Sequence, residues 1–175
     1  MEDCHELFLR VPGEGRWGDP ARIWPGGNPW VREKAELPEL VADWCEHLEA
    51  EGFGKGVHKA FCGIADHLMS WMPGKDLFGK SKTMLIRAFE GLGAMLLGDW
   101  EFNYGNAKAM NRPSVAFGHK LARVLRYCIA WELEARLYRT RGIHGLLNAF
   151  EKEYNSRVRR AGRLMFSDLP LLLAP

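Results

Sequence analysis

One segment of the chain has the residue spacing of a phosphate-binding loop. Residues 74–81 read Gly-Lys-Asp-Leu-Phe-Gly-Lys-Ser, which fits G-x-x-x-x-G-K-S/T at every position. In a working loop of this kind a buried strand precedes the glycines, backbone N–H groups surround the phosphates, and the serine ligates magnesium. Here residues 64–72 have the pattern of a helix, and the loop interior holds Asp76, Leu77 and Phe78, which are bulky and include an acidic side chain. No convincing Walker B segment follows, so we interpret the match as a coincidence.

The other reactive side chains show no spacing typical of a metal or hydrolytic site. The six histidines do not recur at ligand spacing with carboxylates, and Glu132 and Glu134 face different sides of a helix. No two cysteines form a C-x-x-C pair, which argues against zinc. Three of the thiols lie on apolar faces of predicted helices, where we expect them to be reduced and buried. These three are Cys45, Cys62 and Cys128.

Basic residues are concentrated in the second half of the chain. Residues 101–175 hold 13 Lys+Arg against 6 Asp+Glu, whereas residues 1–100 hold 11 against 16, although the whole chain has a formal net charge of only +2. Such an asymmetry suggests a polyanionic partner, and a set of solvated helix faces is the alternative. Arginine forks suit phosphate oxygens. The predicted phosphate contacts are Lys120, Arg123, Arg157, Arg160 and Arg163.

The elements that position these side chains are predicted to be helical nearly throughout. Apolar residues three or four apart indicate helices over 38–51, 55–72, 81–97 and 114–141, and a further helix over 143–160. Gly142 either separates the last two helices or lies within one long helix. Residues 99–113 are predicted to form a loop. The fold class is therefore all-α, an irregular bundle of about five main helices.

The first 37 residues differ from the rest because prolines and glycines recur through them. We expect an irregular arm that packs on the helical body through Trp17, Trp24 and Trp30. A stacking platform for nucleic-acid bases is the alternative. The predicted organisation is an arm over 1–37, a helical domain over 38–163 and a terminal segment over 164–175.

The end of the chain carries a distinctive order of residues. Phe150 and Tyr154 are followed by several arginines, then by Gly-Arg-Leu at 162–164, and then by Phe166 and an Asp-Leu pair, Asp168 and Leu169. This order resembles the segment before the Walker B motif in superfamily 1 DNA helicases of the UvrD/RecB/AddA type. There it marks the exit from a helical insertion, subdomain 1B, into the motor domain. Ser167 stands where that family more often has an acidic residue.

The resemblance implies that the chain is a segment of an ATP-dependent DNA helicase or helicase–nuclease that acts in repair or recombination. ATP and magnesium would belong to the parent protein, and this segment has no cofactor and no catalysis of its own. Its partners would be single-stranded or forked DNA and the remaining motor domains. Tyr154, Phe166, Asp168 and Leu169 would be structural, and the apolar end at 169–173 would be exposed or covered by a second copy.

Two other functions stay open on the sequence. One is a non-enzymatic all-α module that binds protein through the tryptophan-rich arm and the 99–113 loop. The other is a nucleotide-binding protein that uses residues 74–81. No apolar run long enough to cross a bilayer and no N-terminal signal are evident, so we expect a cytoplasmic protein without membrane contact.

Overall fold

The structure is a computed structural model that describes residues 7–10, 17–30, 34–79, 82–104 and 110–163. The described part is 70% helical and contains no strand. Its nearest approach to a sheet is an isolated antiparallel bridge between Phe102 and Asn111 in the loop before the longest helix. The predicted all-α fold is confirmed. Among the described helices, none is both long enough and apolar enough to cross a membrane.

The first helices begin and end at the residues that local chemistry favours. Residues 7–10 are helical, and α1 spans Pro20–Ile23, where Asp19 accepts a hydrogen bond from the Ala21 N–H at 3.0 Å. Helix α2 spans Leu37–Ala50 and begins with a capping box between Glu36 and Glu39. Gly52, just beyond its end, has φ +63°, a conformation that costs a glycine little. Helix α3 spans Lys55–Ser70.

The helix predicted over 81–97 is two helices in the structure, and that prediction was wrong in this respect. Helix α4 spans Lys82–Glu90 and α5 spans Leu92–Leu97, with Gly91 between them at ψ 1°. The indole of Trp100 packs directly on Gly91, so that a Cβ at this position would clash with Trp100 Nε1. The interruption therefore follows from a tertiary contact that the local sequence does not reveal.

The last helix is the longest and is continuous through Gly142. Helix α6 spans Val115–Tyr154, 40 residues or about 60 Å of rise, and a π-helical turn over Asn155–Arg159 follows it. The chain then leaves the helix at Gly162, whose φ is +71°. The N–H of Arg163 donates to the Val158 carbonyl at 3.0 Å, the six-residue bond of a Schellman motif.

The contacts divide the chain into two compact units, one of residues 30–135 and the other of residues 1–29 and 136–175. The core of the first unit is built around Phe61, whose ring lies 5.2 Å from Phe117, 5.6 Å from Phe102 and 5.9 Å from Trp44 between centroids. Phe61, Trp44 and Phe117 are all fully buried. This aromatic cluster joins α2, α3 and the start of α6 to the loop after α5.

The prediction that three thiols are buried is correct for one cysteine of this unit and only partly correct for the other two. Cys128 on α6 is fully buried, whereas Cys45 on α2 and Cys62 on α3 are half-buried. Burial raises the pKa of the Cys128 thiol to about 12. Burial also raises the pKa of Cys45, and the nearby Cys62, Asp66 and Glu49 add to the effect.

The second unit is held by a small aromatic cluster. His144 on α6 lies 5.3 Å from Phe8 and 5.7 Å from Trp17 between ring centroids, and all three side chains are buried. Gly18 has φ +76° and approaches the Leu137 carbonyl so closely that a Cβ there would clash with it. Trp17 thus packs on the second half of α6, while Trp24 and Trp30 are half-buried.

Candidate nucleic-acid surface

Two of the predicted phosphate contacts, Lys120 and Arg123, converge on one carboxylate. Lys120 Nζ lies 2.7 and 2.6 Å from the two oxygens of Asp43, and Arg123 Nη1 lies 3.5 Å from Asp43 Oδ2. The side chains of Lys120, Asp43 and Arg123 are 30%, 35% and 41% exposed. This ion pair ties α2 to α6 inside the unit of residues 30–135. Both cations have an internal partner that any phosphate must compete with.

The predicted contacts near the end of α6 have different surroundings from one another. Arg157 pairs with Glu153, one helical turn earlier. Arg160 and Arg163 have exposed side chains and form no ion pair within the described residues. Among the five predicted contacts, Arg160 and Arg163 are therefore exposed and have no ion-pair partner in the described ranges that a phosphate would have to displace.

Tyr154 is part of a packed group at the same end of the helix. Its ring stacks on Phe150 with centroids 5.8 Å apart, and the Arg159 guanidinium lies 5.0 Å above it. Arg159 also donates to Glu151 at 2.8 Å, and these two side chains are only 18% and 12% exposed. This group orders the turn that carries Arg160. The other residues of the predicted family motif, Phe166, Asp168 and Leu169, lie outside the described residues, as does the apolar end at 169–173.

Further side chains of this unit extend the basic surface beyond the predicted set. Residues 136–163 hold eight Lys+Arg and two Asp+Glu, a balance of +6. Arg139 and Arg141 are exposed, and Tyr138 beside them is 73% exposed. An exposed tyrosine among arginines is suited to stacking on an unpaired base. The local excess of arginine was visible in the sequence, but the exposure of Tyr138 was not.

An exposed apolar stripe lies along the same stretch of helix. Ile143 is 43% exposed, Leu146 is 69% exposed and Phe150 is 52% exposed. Their spacing of three and four residues places them on one helix face, as the sequence predicted. The sequence did not show that this face stays largely open to solvent.

The segment that resembles a phosphate-binding loop uses its backbone groups internally. Helix α3 ends just before it, so helix and not strand precedes the glycines, as predicted. The Gly74 N–H donates to Glu132 Oε2 at 2.7 Å, and the Phe78 N–H donates to Asp76 Oδ1 at 3.1 Å. Lys80 and Ser81 lie outside the described residues. The amides of Gly74 and Phe78 thus already have acceptors other than a phosphate.

Metal-ligating side chains do not gather at any point in the described ranges: no group of three or more His, Cys, Asp or Glu is placed to hold an ion.

Comparison of the chain with protein-family models, with curated proteins and with solved structures finds no match.

Proposed function

We propose that this chain is a DNA-contacting helical segment of an ATP-dependent helicase or helicase–nuclease of the UvrD/RecB/AddA type, acting in repair or recombination and not catalytic by itself. The observation that carries the proposal is the exposed basic surface of residues 136–163. Arg139, Arg141, Arg160 and Arg163 are all exposed along this stretch, and the ring of Tyr138 is 73% exposed. Arginines of this kind bind phosphates without reading sequence, and an aromatic ring stacks on any base.

The helicase assignment within this proposal rests on the resemblance of residues 150–169. In that family the matching segment marks the exit from a helical insertion into the motor domain, which would be the other partner. ATP and magnesium would be bound by the motor domain and not by residues 74–81. The role of this chain would be to hold single-stranded or forked DNA near the motor.

The test is fluorescence anisotropy of a labelled forked DNA titrated with the full chain at low and then at moderate salt. We expect binding that weakens steeply with salt, because each phosphate contact releases counterions. The double variant Arg160→Ala/Arg163→Ala should weaken binding by roughly tenfold at low salt, since charge-assisted hydrogen bonds to phosphate are lost.

The matched control removes the same charge elsewhere. Lys59 and Lys75 are exposed residues of the 30–135 unit, so Lys59→Ala/Lys75→Ala lowers the net charge equally. If both double variants weaken binding to the same extent, the effect comes from net charge and no local surface exists. An absence of binding at low salt would contradict the proposal outright.

A second candidate function is a non-enzymatic all-α interaction module, and the exposed stripe of Ile143, Leu146 and Phe150 favours it. The occupant we propose for the stripe is a second copy, because one helix face can pair with itself about a twofold axis. Sedimentation velocity should then show a dimer that persists at high salt and dissociates in Leu146→Asp. A monomer at all concentrations would remove this candidate.

A further inference from the structure

A thiol, an imidazole and a carboxylate are linked in series where α2 and α3 pack together. Cys62 Sγ lies 3.6 Å from His58 Nδ1, and both residues are on α3, one turn apart. The other ring nitrogen, His58 Nε2, lies 3.2 Å from Glu49 Oε1 on α2. The order of groups is therefore carboxylate, imidazole, thiol. Each ring nitrogen contacts one neighbour, as the transfer of a proton from the thiol to the imidazole requires.

The carboxylate fixes the direction of the relay. An ionised carboxylate only accepts hydrogen bonds, so His58 Nε2 carries the hydrogen that it donates to Glu49. In the neutral ring this leaves the lone pair on Nδ1, which faces Cys62 Sγ. His58 can then accept the thiol proton, and the imidazolium that forms lies between the thiolate and Glu49. The same division of roles operates in enzymes whose nucleophile is a cysteine or a serine.

Solvent reaches this site. Cys62 is half-buried, the His58 side chain is 34% exposed and the Glu49 side chain is 75% exposed. Cys62 thus keeps part of its surface in contact with solvent, whereas Cys128 on α6 is fully buried. Because Glu49 is so exposed, water screens its charge, and its contribution should be smaller than that of His58.

We propose that Cys62 is a reactive thiol that exchanges with small disulfides, with His58 as the base and Glu49 as the residue that positions it. The thiol proton moves to His58 Nδ1, and Cys62 Sγ attacks one sulfur of the reagent. A new S–S bond forms as the bond of the small disulfide breaks. The departing thiolate takes the proton from His58, so the products are a mixed disulfide on Cys62 and one free small thiol.

The experiment uses the full chain, oxidised glutathione and tryptic peptide mapping by mass spectrometry. The cysteines fall in four separate peptides: residues 1–10 hold Cys4, 35–55 hold Cys45, 60–75 hold Cys62 and 127–136 hold Cys128. We expect the adduct on 60–75 to form at least about tenfold faster than the adduct on 35–55, since thiol reactivity follows the local availability of the thiolate. Faster modification of 35–55 than of 60–75 would overturn the proposal.

Three variants test whether His58 acts as a base or only supports the structure around Cys62. His58→Gln should slow Cys62 by about tenfold or more, and Glu49→Gln should slow it by about two- to fivefold. The control is His47→Gln on α2, because the His47 ring bonds to the Asp43 carbonyl. It should leave the rate of Cys62 unchanged.

The rate at Cys45 serves as an internal reference. If His58→Gln only loosens the helix pair, the rates at Cys45 and Cys62 rise together, and that result overturns the proposal. If His58 is the base, the rate at Cys62 falls alone. Should His58→Gln fail to fold, Glu49→Gln carries the same comparison from an exposed position, and an unchanged ratio of the two rates would overturn the role of the relay.

Discussion

At the scale of single residues, His144 is a polar side chain buried in an aromatic cluster. Its ring lies between Phe8 and Trp17, it is only 7% exposed, and its Nε2 atom has no hydrogen-bond partner among the described residues. A buried polar atom without a partner destabilises a fold, because it has lost water and gained nothing. This histidine therefore weakens the cluster that it helps to fill.

We expect His144→Phe to stabilise the protein by about 1–3 kcal/mol, since the ring contacts remain and the unsatisfied nitrogen is removed. Thermal unfolding followed by tryptophan fluorescence measures the change. His144→Ala is the control and should lower the melting temperature, because it removes the ring as well. A lower melting temperature for His144→Phe would show that Nε2 contributes a favourable interaction.

Cys128 gives a prediction in alkaline solution. Its pKa is 9.0 in the unfolded reference and about 12 in the fold, so the native state keeps the thiol protonated when the unfolded state ionises. The stability it contributes is fully present below pH 9 and is lost as pH rises from 9 towards 12, at about 1.4 kcal/mol per pH unit. Urea unfolding at pH 8, 9 and 10 should show a steeper decline for wild type than for Cys128→Val. Parallel declines would contradict this.

At the scale of elements, the interruption between α4 and α5 depends on the contact between Gly91 and Trp100. Alanine favours helix over glycine by about 1 kcal/mol, but at position 91 its Cβ would clash with the buried indole. We expect Gly91→Ala to destabilise the protein by about 1–3 kcal/mol in chemical denaturation. Gly93→Ala, whose Cβ meets nothing within 4 Å, is the control and should be neutral or stabilising. Equal effects of the two variants would exclude the clash as the cause.

The ion pair between α2 and α6 can be tested together with DNA binding. Asp43→Asn should cost about 1 kcal/mol of stability, because the pair is only half-buried and water screens it. It also removes the charged carboxylate that Lys120 and Arg123 share, so tighter DNA binding would show that these two residues reach the phosphates. We expect unchanged binding, because the proposed surface lies in residues 136–163. Asp66→Asn, at an exposed site on α3, controls for the change in charge.

Most helix boundaries followed from local signals that the sequence carries openly. Pro38 in the first turn of α2 and the glycines at 52 and 98 act on the backbone directly, so their effects needed no tertiary information. The interruption at Gly91 could not be predicted, because its cause is an indole nine residues away. Likewise, spacing placed Ile143 and Leu146 on one face, but their exposure depends on what packs beside them.

At the scale of the whole molecule, the near-neutral net charge of +2 hides a strong local excess. Residues 136–163 alone have a balance of +6, so ionic strength should govern binding even though the chain as a whole is almost uncharged. The excess of basic residues can be counted directly from the sequence. It could not predict that Lys120 and Arg123 pair with Asp43, because the partner lies about 80 residues away in the chain.

Salt dependence measures how many of these charges act. A plot of log affinity against log salt concentration should lose about 0.7 in slope for each phosphate contact removed from single-stranded DNA. We expect Arg160→Ala/Arg163→Ala to reduce the slope by about 1.4 and Lys59→Ala/Lys75→Ala to leave it unchanged. A slope that is the same in all three proteins would show that Arg160 and Arg163 make no phosphate contact.

The π-helical turn over Asn155–Arg159 absorbs one extra residue just before the exposed arginines at 160 and 163. The Arg160 N–H bonds to the Asn155 carbonyl, five residues back, so this turn holds one residue more than an α-helical turn. A wider turn needs one residue more to complete the same rotation, so the extra residue is taken up within the turn and the helix on either side keeps its direction. Deleting Ser156 should therefore restore the α-helical count and leave Arg160 and Arg163 on nearly the same side of the helix axis, without altering a single charge. The turn is the place where the chain can be one residue shorter and still present the same cations to the same side.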